Sequence, residues 1–240
     1  MLSYKWLFFI ALFVILSFGD SKVAPDYIIL CPGLKSECLK KSIQETIPLF
    51  AKGVPSLGIN STDPLYKDSI AYELPGKIKV KLIDSVMTGL RNCVIDSVMF
   101  VGLDASVDLT CGVTVTGKYK ATGQILLFSL NGDGEARIKT PSMTLSFKAK
   151  FEDRTRNGII YREIKEHKVV YKYNEKVDFV ITNLFKGNPE ISQAILKFMN
   201  ENWQVMVNEF GKPLIDKFIR LVFDSVKKFF HAVPRDEIFV

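Results

Sequence analysis

The chain has 240 residues, 48% of them hydrophobic and 12% aromatic, with 18 phenylalanines and a formal net charge of +6. A chain of this length buries a sizeable core. Its lysines form no block interleaved with arginine and aromatics, which argues against a nucleic-acid groove and leaves either a solvated basic surface or attraction to anionic lipid.

The first nineteen residues read as a secretory leader. Lys5 gives a positive start, Trp6 to Phe18 is an unbroken apolar run, and Ser17 and Gly19 are the small residues wanted before a cleavage point near Asp20. The run is shorter than the roughly 20 residues that span a bilayer, so a single-pass anchor is the weaker alternative. The rest makes one large domain or two small ones.

Four cysteines in an exported chain predict two disulfides. Cys31 and Cys38 close a tight loop bent by Pro32 and Gly33. Cys93 and Cys111 are centred on Gly102, so a hairpin turning there sets them face to face; their bond depends on that register. Neither pair has the C-x2-C spacing of a zinc site, and His167 and His231 lie far from both, so no metal is expected.

Glu37 to Gly53 reads as an amphipathic helix with Leu39, Ile43, Ile47 and Phe50 on one side, interrupted by Pro48 and stopped by Gly53. A turn-rich connector follows, in which Asn60-Ser61-Thr62 is the one N-glycosylation sequon. From Ile78 to Tyr173 the period becomes two: Lys77 to Leu90 alternates in part, and Met143, Leu145, Phe147, Ala149 and Phe151 alternate without a break. Asn131-Gly132-Asp133-Gly134 and Asn157-Gly158 read as hairpin turns. The first also hints at a calcium loop but lacks the later acidic ligand. Several long antiparallel strands in series predict a strongly bent sheet.

The helical period returns with Ile191, Ile195, Phe198, Met199, Trp203, Met206 and Phe210 on one face. After Gly211 and Pro213 the stripe passes to Leu214, Phe218, Leu221, Val222 and Phe229, while Lys217, Arg220, Asp224 and Lys227 take the direction the first stripe faced. Either the helix kinks at Gly211-Lys212-Pro213 or a sheet wraps around it.

Signatures of catalysis are missing: no nucleophile elbow, P-loop, dinucleotide fingerprint or H-E-x-x-H, and hence no cofactor is expected. His231 reads as a cap on the helix C-terminus. Glu163 and Glu166, set among lysines, read as a solvated face rather than an acid/base couple.

Cys31-x6-Cys38, GVPSLGINSTDPL (53–65), LIDSVMTGL (82–90), GKYKATGQILLFSLNGDGEARI (117–138), FVITNLFKGNPEI (179–191), MNENW (199–203) and VPRDEIF (233–239), in this order, resemble the takeout and juvenile-hormone-binding protein family of insects, the takeout branch in particular. The resemblance implies an α+β fold over residues 20–240 as a single domain: a long C-terminal helix wrapped by a strongly curved antiparallel sheet, enclosing a hydrophobic tunnel for one extended apolar ligand. It also implies the Cys31–Cys38 disulfide, and a distant kinship with the lipid-binding domains of bactericidal/permeability-increasing protein. The hormone carriers place their second disulfide in the later half of the chain, so the analogy does not reach Cys93 and Cys111. Where those carriers offer the ligand a hydroxyl this chain reads Ile125-Leu126-Leu127-Phe128, which favours a longer, less polar lipid over juvenile hormone.

The expected protein is thus a secreted, monomeric, non-catalytic carrier of one hydrophobic ligand. Met143, Phe147, Phe151, Phe198, Met199, Trp203, Met206 and Phe210 are the candidate tunnel lining, though each also reads as ordinary core. The rival readings are a lipid-transfer or lipid-sensing protein docking on anionic membranes through its basic surface, and a hydrolase or isomerase acting on the tunnel ligand.

Overall fold

The structure, a computed structural model, describes residues 22–125 and 128–240. The secretory leader and the Ile125–Phe128 reading lie outside the described residues, since the side chains of Ile125 and Phe128 are also not described.

The first helix, α1 (Ser36–Phe50), tolerates Pro48 in its last turn and ends three residues before the expected stop. Lys52 and Gly53 donate to the carbonyls of Leu49 and Phe50, and the chain then turns at Gly53, which admits no side chain: its φ is +92°, and a Cβ there would fall 2.7 Å from the Ile59 carbonyl oxygen. Gln44 fastens the helix to the sheet: its amide donates to the Cys93 carbonyl at 3.0 Å and accepts from the Ile95 N–H at 2.7 Å.

Seven strands follow: β1 (Leu65–Leu74), β2 (Ile78–Thr88), β3 (Val94–Val101), β4 (Asp104–Ile125), β5 (Phe128–Arg156), β6 (Ile159–Tyr173) and β7 (Asp178–Ile181). They form one open antiparallel sheet in the order β1-β2-β4-β5-β6, with β3 added along the first half of β4 and β7 along part of β5. The 29 residues of β5 would run about 95 Å if flat, against a radius of gyration of about 18 Å for a compact chain of this length. The sheet must therefore bend.

Bulges set where the strands bend and which face each residue meets. At Gly112 of β4, opposite Pro141 and Ser142, β5 carries one extra residue. The inward side chains of β5 accordingly switch from even (Leu130, Ala136, Ile138, Thr140) to odd numbers (Met143, Leu145, Phe147, Ala149, Phe151). The same happens in β2 at Asp84 and in β3 at Asp96. This is why Lys77–Leu90 alternates only in part: its period is two on each side of a one-residue insertion.

Asn157-Gly158 turns the β5–β6 hairpin, both residues at positive φ. The expected turn at Asn131–Gly134 is not one. These residues lie inside β5, paired with Thr122, Ala121, Lys120 and Tyr119. Their glycines serve close packing instead: a Cβ on Gly132 would fall 2.8 Å from the Tyr119 hydroxyl, and one on Gly134 would fall 2.4 Å from the Thr182 carbonyl oxygen. Asn131 accepts from the Lys186 N–H, completing a seat for the segment after β7.

The C-terminal third holds α2 (Pro189–Glu201), capped by the Asn188 side chain on the Ile191 N–H, then α3 (Trp203–Met206) and α4 (Lys212–Ala232). A break at Asn202 separates α2 from α3, and one π-helical turn, Val207–Gly211, separates α3 from α4. The expected kink therefore arrives as a π-turn just ahead of Pro213, whose missing N–H removes the bond that a regular helix would place there. Beyond it Leu214, Phe218, Phe223 and Phe229 are buried, while Lys217, Arg220 and Asp224 face outward. Both alternatives for the rotated stripe hold together: the helix is interrupted, and the sheet curves around it.

Two disulfides are formed, Cys31–Cys38 and Cys93–Cys111. The second follows from the β3–β4 hairpin turning at Gly102 and Leu103, with Val101 opposite Asp104.

Candidate functional site

Between the concave face of the sheet and the helices lies a cavity of about 1140 Å³. It follows β4 from Ala105 to Ala121, about 50 Å of strand contour before bending. Leu39, Ile43, Ile47 and Phe50 of α1 face it from one side, and Leu214, Phe218, Val222 and Phe223 of α4 from another. Among the described residues that line it there is no Asp, Glu, Lys, Arg or His.

One end is closed by four rings. Phe151 meets Phe230 edge-on at 5.0 Å and Phe100 at 5.5 Å, and Phe239 stands 5.3 Å from Phe100. The termini hold this plug in place: the Glu237 carboxylate accepts from the Val23 and Ala24 N–H groups, and Arg235 pairs with Asp153 at 3.2 Å. Toward the other end the wall is Leu74, Pro75 and Gly76 of the β1–β2 hairpin, with Gln124. Asn200 clamps α2 to the sheet by bonding both the N–H and the carbonyl of Phe179.

Of the candidate lining residues, Met143, Phe147 and Phe151 from β5, Phe198 and Met199 from α2, and Met206 and Phe210 further along all border the cavity. Phe198 is half exposed at its margin. Trp203 does not border it. The break at Asn202 turns α3 away from the line of α2, and the indole packs edge-on to Tyr173 at 6.3 Å, beside Val177 and Val207. The sequence reading missed Phe100, Phe230 and Phe239 of the aromatic plug, and Phe223, whose position five residues after Phe218 breaks the stripe's regular spacing. It also missed the tyrosines Tyr72, Tyr119 and Tyr173, which lie in strands with no distinguishing neighbours.

Tyr119 donates to the Thr182 carbonyl at 2.9 Å; burial, reinforced by the Asp133 charge, pushes its phenol up to about 12. Burial likewise raises Tyr72 and Tyr173.

The polar residues outside the cavity hold the fold. Glu163 is not on a solvated face: the β5–β6 hairpin sets it 3.0 Å from Arg156, and the end of α4 brings His231 within 2.9 Å. The Arg156 guanidinium also caps the His231 carbonyl, so the last turn of α4 is tied to the sheet. Asn60 is exposed on the connector, although Thr62 of the same sequon is buried. Among the described residues no helix is long and apolar enough to cross a membrane, and no three metal-ligating side chains converge.

The model of the haemolymph juvenile hormone binding protein family matches residues 8–240, almost the whole chain. The chain belongs to that family. Among solved structures, Takeout 1 of Epiphyas postvittana superposes with a TM-score of 0.79 at 31% identity, covering 85% of this chain and 96% of that one. The circadian clock-controlled protein daywake of Drosophila melanogaster is 23% identical over 234 residues, 90% of this chain and 88% of its own. A candidate beta-carotene-binding protein of Schistocerca gregaria is 30% identical over 134 residues, 51% of this chain and 48% of its own. As in the takeout neighbour, this family member sets an open antiparallel sheet against a long C-terminal helix. The family is one of hydrophobic-ligand carriers, which accords with a cavity walled by aliphatic and aromatic side chains.

Proposed function

We propose that the protein is a secreted, monomeric, non-catalytic carrier that encloses one extended apolar ligand in the cavity, which serves as a tunnel. The single observation carrying this reading is the lining: a long, mostly apolar space that, among the described residues, has no carboxylate, ammonium, guanidinium or imidazole. Such a wall offers burial and little else. Each methylene withdrawn from water contributes about 0.8 kcal/mol, so a long acyl or isoprenoid chain is held tightly with few polar contacts. Met143, Met199 and Met206 adapt the wall to ligand shape. Hydrolysis or isomerisation draws little support from the lining, where tyrosine phenols are the only titratable side chains among the described residues and no imidazole or carboxylate joins them. Two disulfides and the exposed sequon Asn60 support export after removal of residues 1–19.

The test is titration with a polarity-sensitive naphthylamine probe. The carrier reading expects saturation at one probe per chain with blue-shifted emission, displacement by long-chain lipids, and indifference to anionic vesicles and salt. Failure to saturate, or binding that appears only with anionic vesicles and fades with salt, contradicts it.

A further inference from the structure

Three tyrosines line a mostly apolar cavity, and their hydroxyls are not equivalent. Tyr119 spends its proton on the Thr182 carbonyl. Tyr72 and Tyr173 have no hydrogen-bond partner among the described residues.

Tyr173 stands where the building elements meet. It lies opposite Met143, just past the β5 bulge at Pro141 and Ser142, and it packs into both of the apolar clusters that flank this point, one around Met143 and Leu145, the other around Val177, Phe179 and Val207. From the helix side the π-turn presents Gly211. A Cβ there would sit 3.2 Å from the Tyr173 hydroxyl oxygen, so the absence of a side chain leaves that oxygen uncovered. Thr140, on the other side of the same bulge, also faces the cavity. The two hydroxyl residues thus line the cavity from either side of the bulge.

We propose that this stretch of wall is a polar recognition point, at which the Tyr173 hydroxyl donates a hydrogen bond to an acceptor oxygen within the ligand: a carbonyl, ester or quinone oxygen on a long apolar chain. The proposal rests on the carrier reading and narrows its ligand class. The hydroxyl has no protein partner among the described residues, so a ligand acceptor lying against it supplies a hydrogen bond, whereas a pure hydrocarbon displaces water from it without replacing the bond. The phenol is a neutral donor at physiological pH at its ordinary pKa, and burial raises that pKa further.

The experiment is displacement of the naphthylamine probe by a matched pair, octadecane and 9-octadecanone, on the wild type and on Tyr173→Phe. The wild type is expected to prefer the ketone by about tenfold once partitioning is corrected for, and the variant to lose that preference while holding octadecane as before. Equal preference in both proteins overturns the proposal and leaves the carrier reading standing. Displacement by neither compound overturns both. Should the variant fail to fold, the wild type with ¹³C-labelled ketone decides: a carbonyl stretch below its value in dry hydrocarbon supports the bond, and an unshifted stretch overturns it.

Discussion

The His167 ring lies on Phe223, centroids 4.0 Å apart and planes 18° from parallel, and Phe147 stacks near-parallel to Phe223 from 6.0 Å away. A residue of β6 and a residue of β5 thus grip one phenylalanine of α4, which itself borders the cavity. This is the clasp between sheet and helix in its most local form.

That contact makes stability pH-dependent. Burial, helped by the Lys227 charge, holds His167 below its ordinary pKa. The unfolded chain therefore binds the proton more readily, and the contribution is whole above about pH 6.5 and declines as pH falls through and below that value. His167→Gln is expected to flatten the fall in melting temperature between pH 7.5 and 5.5; thermal unfolding at the two pH values checks it.

The two disulfides close loops of different length, separations of 7 for Cys31–Cys38 and 18 for Cys93–Cys111. Chain entropy assigns the shorter about 2 kcal/mol and the longer about 3 kcal/mol. The double variant Cys93→Ser/Cys111→Ser is expected to lose more, in line with its place where α1, β3 and β4 join. Urea unfolding of both double variants gives the order, and a larger loss at Cys31–Cys38 goes against it.

Asp63 is 2% exposed, and one of its carboxylate oxygens accepts from the N–H groups of Gly89 at 3.1 Å and Arg91 at 2.7 Å. It shapes the turn that carries the chain from β2 into Cys93. Asp63→Ala leaves those donors buried and unpaired, so a loss of about 1–3 kcal/mol is expected. Surface substitution of Asp26, which is exposed, is expected to change stability by less than about 0.5 kcal/mol. Parallel denaturant titrations compare the two.

Trp203 and Trp6 are the only tryptophans in the sequence, so without the leader Trp203 is the sole one. Its contact with Tyr173 and its neighbour Met206 place it one side chain from the cavity. Bound naphthylamine is expected to quench Trp203 emission by energy transfer, with the same midpoint as the rise in probe emission. Unchanged tryptophan emission at saturation would place the ligand elsewhere.

Much of this was legible in the sequence because apolar period survives between bulges. Met143 to Phe151 alternated cleanly and all face inward, and the cysteine spacing about Gly102 fixed a hairpin that exists. What escaped was non-local. Asn131–Gly134 carries turn chemistry, but its glycines answer to Tyr119 on the paired strand β4 and to Thr182 just after β7, neither of them a near neighbour in the chain. Trp203 fitted a continuous helical stripe, and only the break at Asn202 removed it from the wall. Glu163 sat among lysines in sequence, yet its partners Arg156 and His231 come from a neighbouring strand and a distant helix end.

The most direct measurement is native mass spectrometry of the protein collected from cells that secrete it, with denaturing extraction of whatever is released. The account predicts a single stoichiometric apolar adduct, lost on unfolding and carrying an oxygen on a long chain. A bare chain mass that persists after incubation with long-chain ketones, esters and terpenoids would contradict it.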